Sequence, residues 1–196
     1  NPDYTRAHIG LGGVYFQQAQ LLPPEQRLQT DYLDLAIEHY TLGVEGGSDT
    51  PGAEVEIKGL LALGKTYRLQ AEAYLHAGEY ETADPVYDMA IEKIQNAIEW
   101  LSQDQHRLLA EAHLGLGVAY EGKAHIHYVG GNKTESKSLY EAAHAAYTEC
   151  VKEADEEFYD SQLQNVKTNY CSPYSEDVQQ VLNNLQNLAG RYAVVQ

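Results

Sequence analysis

Residues Ala110 to Tyr120 read AEAHLGLGVAY, and they contain a pattern that occurs three times in the chain. The full form, His-x-Gly-Leu-Gly-x-x-Tyr, is found at His8 to Tyr15 and at His113 to Tyr120, whereas Leu60 to Tyr67 keeps only the Leu-Gly-x-x-Tyr ending. Successive Leu-Gly pairs lie 52 and 53 residues apart, with their glycines at Gly12, Gly64 and Gly117. Self-similarity at such a period indicates a repeat fold.

A second pattern follows each copy of the first. It consists of a small residue, a large apolar residue four positions on, and another small residue three positions further. The three copies are Ala36/Tyr40/Gly43, Ala90/Ile94/Ala97 and Ala143/Tyr147/Cys150. This spacing places all three residues on one face of a helix, where the small residues let a neighbouring helix approach closely. Each repeat is therefore predicted to be two antiparallel helices, A and B.

The two patterns together resemble the tetratricopeptide (TPR) repeat, in which helix A carries Leu-Gly and Tyr and helix B carries Ala, an aromatic residue and Ala. The resemblance covers about residues 1 to 155, and Pro2 falls where the family closes the preceding repeat. It implies an all-α fold, a right-handed superhelical α-solenoid of three helical hairpins with a C-terminal capping helix. The chain is then one domain, with repeats at about 4–46, 53–102 and 104–157, and a partial repeat and cap at 158–196.

The period departs from the usual 34 residues of the family. Because the surplus lies between the A-helix Tyr and the B-helix Ala, both helices of each hairpin are expected to be longer by roughly two turns. Since the chain starts at Asn1, in the middle of a repeat, we expect it to be excised from a longer protein. The predicted helices span 4–20, 24–44, 53–76, 84–101 and 104–129, and a further helix starts at Ser136 or Ser138 and ends at 157. A partial A helix at 160–170 and the cap at 175–188 follow.

Proline, glycine and capping residues set several of these boundaries. Asp84-Pro85 is predicted to start the second B helix, Asp104 to cap the third A helix, and Cys171-Ser172-Pro173 to separate the cap. On the first A helix, the predicted packing side consists of Ala7, Leu11, Val14 and Tyr15.

The chain is strongly acidic, with 13 basic and 29 acidic residues and a formal net charge of −16. This argues against nucleic acids and anionic membranes as partners, because both require clustered Lys and Arg. It suits a basic partner, or serves only solubility. No apolar run approaches a membrane span and no signal peptide is visible. Cys150 and Cys171 are expected to be buried thiols rather than a disulfide, which favours a cytoplasmic location.

Ligand contacts in the family lie on the concave side, at A-helix positions between the packing residues. The resemblance places them in this chain at Arg6, Ile9, Gly13, Phe16 and Gln17; at Lys58, Leu61, Lys65, Arg68 and Leu69; and at Glu111, Leu114, Val118, Glu121 and Gly122. The chaperone-binding members of the family clamp a terminal carboxylate with Lys and Asn at positions where this chain has Ile9 and Gly13, so that subclass is not expected.

Three of these positions, Lys58, Lys65 and Arg68, gather basic residues on one helix face. They could form a basic groove centre for a carboxylate, or they could pair with Glu54, Glu56 or Glu72. Phe16 could anchor a partner's apolar side chain, or it could be buried under the first B helix.

The sequence contains no convincing motif for metal binding, phosphate binding, glycosylation or catalysis. His125 and His127 are two residues apart and point away from each other on a helix, so no metal is expected. The equivalent His8 and His113 indicate packing. The run Gly10 to Gly13 lies inside a helix and follows no strand, so it is not a phosphate loop. The Asn132-Lys133-Thr134 sequon is interpreted as a chance loop sequence. We expect neither a cofactor nor an enzymatic activity.

The sequence therefore predicts a non-enzymatic interaction module that binds a protein or peptide partner, in the form of a peptide or a partner helix, in the concave groove of its A helices. Two alternatives stay open. The chain could be a regulatory or sensor segment of a larger signalling or transcription protein, or it could be a spacer or a self-association domain that forms a homo-oligomer.

Overall fold

The computed structural model describes residues 2–46, 54–156 and 160–193, with side chains described for 4–46, 54–156 and 160–185. These residues form helices without a strand, so the chain is all-α as predicted. The helices are α1 (Pro2–Gln20), α2 (Pro24–Arg27), α3 (Tyr32–Glu45), α4 (Glu54–Ala77), α5 (Tyr80–Trp100), α6 (His106–Val129), α7 (Lys133–Glu156), α8 (Ser161–Val166), a π-helical segment (Lys167–Cys171) and α9 (Ser172–Ala193).

Three helix pairs pack as hairpins: α1 with α3, α4 with α5, and α6 with α7. In each pair the glycine of the Leu-Gly motif lies against the large residue of the second pattern. A Cβ atom on Gly12 would lie 2.8 Å from the Tyr40 ring, and one on Gly64 would lie 2.5 Å from Ile94. Gly117 is covered by Tyr147 in the same way. The two sequence patterns are thus the two halves of one helix–helix contact.

The helices form two compact units, residues 1–102 and residues 103–196. In unit 1, α4 packs against the first hairpin, where Gly59 would bring a Cβ to 2.9 Å from Val44 and 3.0 Å from Ile9. In unit 2, α9 covers the third hairpin, and Val178 and Leu182 complete a core with Tyr147. The C-terminal helix α9 therefore buries apolar surface of the last hairpin.

The first B helix is not the continuous helix predicted over 24–44. It is divided into the short α2 and α3, and side-chain hydrogen bonds hold α2 and the turn that follows it. Arg27 Nε donates to the Leu22 carbonyl at 3.1 Å, and Thr30 Oγ1 donates to the Arg27 carbonyl at 3.3 Å. The extra residues of this hairpin thus form a separate helical turn. The other two hairpins have helices of 21 and 24 residues.

Three predicted helix starts are displaced. Helix α5 begins at Tyr80, so Pro85 lies inside it, on its exposed side, rather than in its first turn. Helix α6 begins at His106, so Gln105 rather than Asp104 is the N-cap residue, and the Gln105 side chain makes no capping hydrogen bond. Helix α7 begins earlier than expected because the Asn132 Oδ1 accepts a hydrogen bond from the Glu135 N–H at 3.3 Å.

The predicted break at Cys171-Ser172-Pro173 does not occur. The wider turn of the π-helical segment directs the Ser172 N–H to the Lys167 carbonyl. The chain therefore passes Pro173 without leaving the helix, and α9 extends over 22 residues to Ala193. Short π-helical segments of this kind occur as single-turn insertions inside longer α-helices.

Cys150 and Cys171 form a disulfide in unit 2, which overturns the prediction of free thiols. Both residues are fully buried, so their burial was predicted correctly. Their Cα atoms are 5.9 Å apart, a usual separation for a bridged pair. Helix α7 fixes Cys150, but the direction of Cys171 depends on the π turn, which the sequence does not reveal.

Candidate functional site

The predicted groove positions of unit 1 divide into exposed and packed residues. Arg6, Gln17 and Lys58 are exposed. Ile9 instead lies against small residues of α3 and α4, and Leu61 is buried. This face thus exposes polar groups, while its apolar positions pack within the unit itself.

The basic residues of this face are largely engaged with carboxylates. Lys58 Nζ lies 2.5 Å from Glu54, and this hydrogen bond and charge lower the pKa of the Glu54 carboxyl. Arg68 lies 3.8 Å from Glu72, which also accepts a hydrogen bond from Arg27 at 3.1 Å. The alternative of local ion pairs is confirmed for Lys58 and Arg68, so the face has less positive charge for a partner's carboxylate.

Phe16 and Lys65 are both half-buried. The Phe16 ring packs against a buried cluster of α1, α3 and α4 that consists of Ala19, Leu33 and Leu69. Phe16 therefore contributes to the core of unit 1, with part of its ring still accessible.

The groove positions of the third repeat lie within the packing of unit 2. Leu114 and Val118 pack against the core under α9. The Glu121 carboxylate accepts a hydrogen bond from Tyr147 Oη at 2.7 Å. Burial raises the pKa of Glu121, the Tyr147 hydrogen bond opposes this, and the charge of Asp177 adds to it. Glu121 is thus a partly buried carboxyl held by a tyrosine.

A row of exposed residues follows α1 on a different face from the groove positions. This α1 stripe repeats at spacings of three and four, and its members are Tyr4, Ala7, Leu11, Val14, Gln18 and Leu21. Tyr4 is 47% exposed, Leu11 45%, Val14 54% and Leu21 80%. The prediction that Ala7, Leu11 and Val14 face the packing side is therefore wrong, because α3 packs against the neighbouring face of α1.

The α1 stripe has a counterpart on α4, one repeat of 52 residues later. There the six positions are Glu56, Gly59, Leu63, Thr66, Gln70 and Ala73. Glu56 is 5% exposed, Leu63 3% and Thr66 0%. Helix α3 covers this face, since Val44 meets Gly59 and Asp34 Oδ1 accepts a hydrogen bond from Gln70 at 3.0 Å. The same repeat position is therefore covered on α4 and open on α1.

Unit 2 contains a half-open cleft between α6, α7 and α9, with a volume of about 290 Å³. Its walls are mainly apolar, and the residues of this unit 2 cleft are His125, Tyr128, Tyr140, Val181, Asn184 and Leu185. Burial raises the pKa of the Tyr140 hydroxyl, and the charge of Glu121 raises it further. The tyrosine therefore stays protonated and can donate a hydrogen bond in the cleft.

Two carboxylates lie one helical turn from the unit 2 cleft. Glu121 precedes His125 by four residues on α6, and Asp177 precedes Val181 by four residues on α9. Residues four apart share a helix face. The Tyr147 and Tyr174 rings pack with centroids 5.5 Å apart, and the Tyr147 hydroxyl is bonded to Glu121.

Neither the α1 stripe nor the unit 2 cleft was predicted from the sequence. The spacing of the α1 stripe is visible in the sequence, but the sequence does not reveal which helix faces lack a neighbour. For the cleft, Val181, Asn184 and Leu185 lie in the predicted cap, but nothing in the sequence brings them together with Tyr128 and Tyr140. Within the described ranges, His, Cys, Asp and Glu form no group of three or more that could hold a metal ion.

Comparisons with models of protein families, with curated proteins and with solved structures gave no match for this chain. In the part of the chain that the structure describes, no helix is both long and apolar enough to cross a membrane.

Proposed function

We propose that this chain is a protein-interaction module and that its α1 stripe binds an amphipathic helix of a partner protein. The observation that carries the proposal is the contrast between two equivalent faces. Leu11 is 45% exposed, whereas Leu63, at the same position of the next repeat, is 3% exposed beneath α3. Contiguous exposed apolar residues of this kind mark interaction sites.

The contact between α3 and α4 indicates what the partner helix looks like. Gln18 occupies the repeat position of Gln70, whose partner on α3 is the carboxylate of Asp34. We therefore expect an Asp, Glu or Asn on the partner helix opposite Gln18. Ala7 corresponds to Gly59, which faces the β-branched Val44. A β-branched or similar apolar residue is expected there, ten positions after the acidic one.

Affinity on this surface would come from apolar burial rather than from charge. Among the described side chains of α1, Arg6 is the one Lys, Arg, Asp or Glu residue. Burying a Leu or Val side chain completely contributes about 1.5–3 kcal/mol, so the half-exposed residues of the stripe would each add about 1 kcal/mol. Four such residues can hold one helix, which is the helix-in-groove mode of recognition.

In this proposal the bound helix continues the stacking of α3 on α4, so the right-handed superhelix implied by the TPR resemblance would gain one more helix. The concave groove of the A helices is the second candidate surface, with Arg6, Gln17 and Lys58 exposed. The ion pairs of Lys58 and Arg68 favour the α1 stripe over the groove as the main contact.

The cellular compartment is a separate part of the proposal. A cytoplasmic location was predicted from two free thiols, but Cys150 and Cys171 are bonded to each other. Stable disulfides are typical of oxidising compartments. The disulfide therefore favours an oxidising compartment over the cytoplasm that the sequence predicted.

A synthetic peptide of α3, Tyr32–Glu45, is a suitable probe because it carries the face that covers α4. Fluorescence anisotropy with the labelled peptide and the full chain should show saturable binding. Leu11→Asp and Val14→Asp should each weaken it by about tenfold or more, because a buried carboxylate replaces apolar contact. Gln17→Asp is the matched control, since it adds the same charge to an exposed position off the stripe.

Two results would contradict the proposal. One is the absence of saturable binding, and the other is equal weakening by Leu11→Asp and Gln17→Asp when circular dichroism shows that all variants are folded. Sedimentation equilibrium of the chain alone completes the test. If the chain forms dimers that Leu11→Asp dissociates, the stripe serves self-association and the assignment to a separate partner helix is wrong.

A further inference from the structure

The unit 2 cleft is small, apolar along its walls and acidic beyond one end. Its volume of about 290 Å³ lies just below the range of pockets for whole small-molecule ligands, so it fits a single long side chain better. Val181 and Leu185 supply aliphatic surface, and Tyr128 and Tyr140 supply aromatic rings. A side chain that binds in the cleft must therefore have an apolar stem that packs against these residues.

The polar groups determine what the end of that stem should be. Glu121 and Asp177 lie four residues before the cleft residues His125 and Val181, about 6 Å along the axes of α6 and α9. The hydrogen bond from Tyr147 occupies one site on Glu121, and an ionised carboxylate can accept several more. A cation at the end of the stem would therefore meet two carboxylates.

We propose that the unit 2 cleft binds the side chain of an arginine from a basic segment of a protein partner. The methylene stem packs along Val181 and Leu185, the guanidinium stacks on a tyrosine ring, and its N–H groups donate to Glu121 and Asp177. Arginine suits the site because its planar guanidinium can stack on an aromatic ring and can donate two parallel N–H hydrogen bonds to a carboxylate. The net charge of −16 favours approach of a basic segment.

This site lies in unit 2 and its chemistry does not depend on the α1 stripe. The charge variants of α1 therefore leave it unchanged, and the two proposals can fail separately. An arginine bound here would fix the register of a partner segment, because only one side chain fits at a time.

Acetyl-arginine methylamide is the probe, titrated into the full ¹⁵N-labelled chain and followed by NMR. Amide shifts should concentrate at His125, Tyr128, Tyr140, Val181 and Asn184. The citrulline analogue, which has the same shape without charge, should bind at least about threefold more weakly, and the lysine analogue should lie between the two. Asp177→Asn should weaken arginine binding by roughly threefold.

The matched control is Glu176→Gln, the same loss of charge one residue earlier on the exposed side of α9, which should leave binding unchanged. Asn184→Trp fills the cleft from an exposed position and should abolish binding while leaving the fold intact. The proposal is overturned if shifts are absent or scattered, if citrulline binds as well as arginine, or if Glu176→Gln and Asp177→Asn have equal effects.

Discussion

Tyr147 lies over Gly117 so closely that its ring atoms occupy the space a Cβ atom would need. The tyrosine is fully buried and its hydroxyl is bonded to Glu121, so the ring has little freedom to move aside. One glycine and one tyrosine thus set the separation between α6 and α7, as Gly12 and Tyr40 do for α1 and α3.

Gly117→Ala should therefore destabilise the chain by about 1–3 kcal/mol, the usual cost of adding a group to a packed core. Gly10→Ala is the matched control, because Gly10 is exposed on α1 and a Cβ there would meet nothing within 4 Å. It should stabilise the helix by about 0.5–1 kcal/mol. Thermal unfolding followed by circular dichroism measures both, and a Gly117→Ala variant as stable as the wild type would contradict this packing.

Glu121 should make stability depend on pH. Its pKa is raised in the folded chain, mainly by burial, so the folded state holds its proton more tightly than the unfolded state does. The resulting stabilisation is complete below the unfolded pKa of about 4.3 and is lost as the pH rises through the folded pKa. Glu121→Gln, which can still accept the Tyr147 hydrogen bond, should therefore unfold at higher urea than the wild type at pH 7.

The advantage of Glu121→Gln should disappear below about pH 4, because both side chains are then neutral. Glu176→Gln removes an exposed carboxylate of the same unit and serves as the control. A pH-independent difference between Glu121→Gln and the wild type would show that burial of the charge is not its cause.

The disulfide between Cys150 and Cys171 should contribute about 3 kcal/mol, because it closes a loop with a sequence separation of 21. Chemical unfolding with and without a reductant measures this contribution. A Cys150→Ala, Cys171→Ala double variant should be destabilised and no longer respond to the reductant. Thiol titration of the oxidised, denatured chain should find no free thiol, and two reactive thiols would show that the bond is absent.

The helical hairpins could be predicted from the sequence because each rests on a local rule. The spacing of four and three that joins Ala36, Tyr40 and Gly43 fixes a helix face wherever it occurs. Recurrence at 52 and 53 residues then pairs each such face with a Leu-Gly motif. Gly12 meets Tyr40 as this reasoning required.

The surfaces could not be predicted, because they depend on which faces lack a neighbour. Leu11 and Leu63 have the same motif position, and a sequence pattern treats them alike. Their environments differ because α3 covers α4, whereas no described helix covers the same face of α1. The direction of Cys171 likewise follows from one π turn, which shifts every later residue of the helix by a fraction of a turn.

The pair Leu11 and Leu63 provides the most direct test of the α1 stripe. Leu63→Ala should cost about 2–5 kcal/mol, because it removes buried apolar contact and leaves a cavity between α3 and α4. Leu11→Ala should cost less than about 1 kcal/mol in the isolated chain, since nearly half of its side chain is already in water. Urea unfolding at low protein concentration measures the two free energies without interference from association.

The free energies of unfolding lost by Leu63→Ala and by Leu11→Ala should become more similar as the α3 peptide is added. A helix bound on the α1 stripe would bury Leu11 in the way that α3 buries Leu63. In the presence of saturating peptide, Leu11→Ala should lose part of the stabilisation that the peptide gives to the wild type, by linkage of binding to folding. Equal costs for the two substitutions in the isolated chain would mean that α1 is already covered, and the stripe would then be no free surface at all.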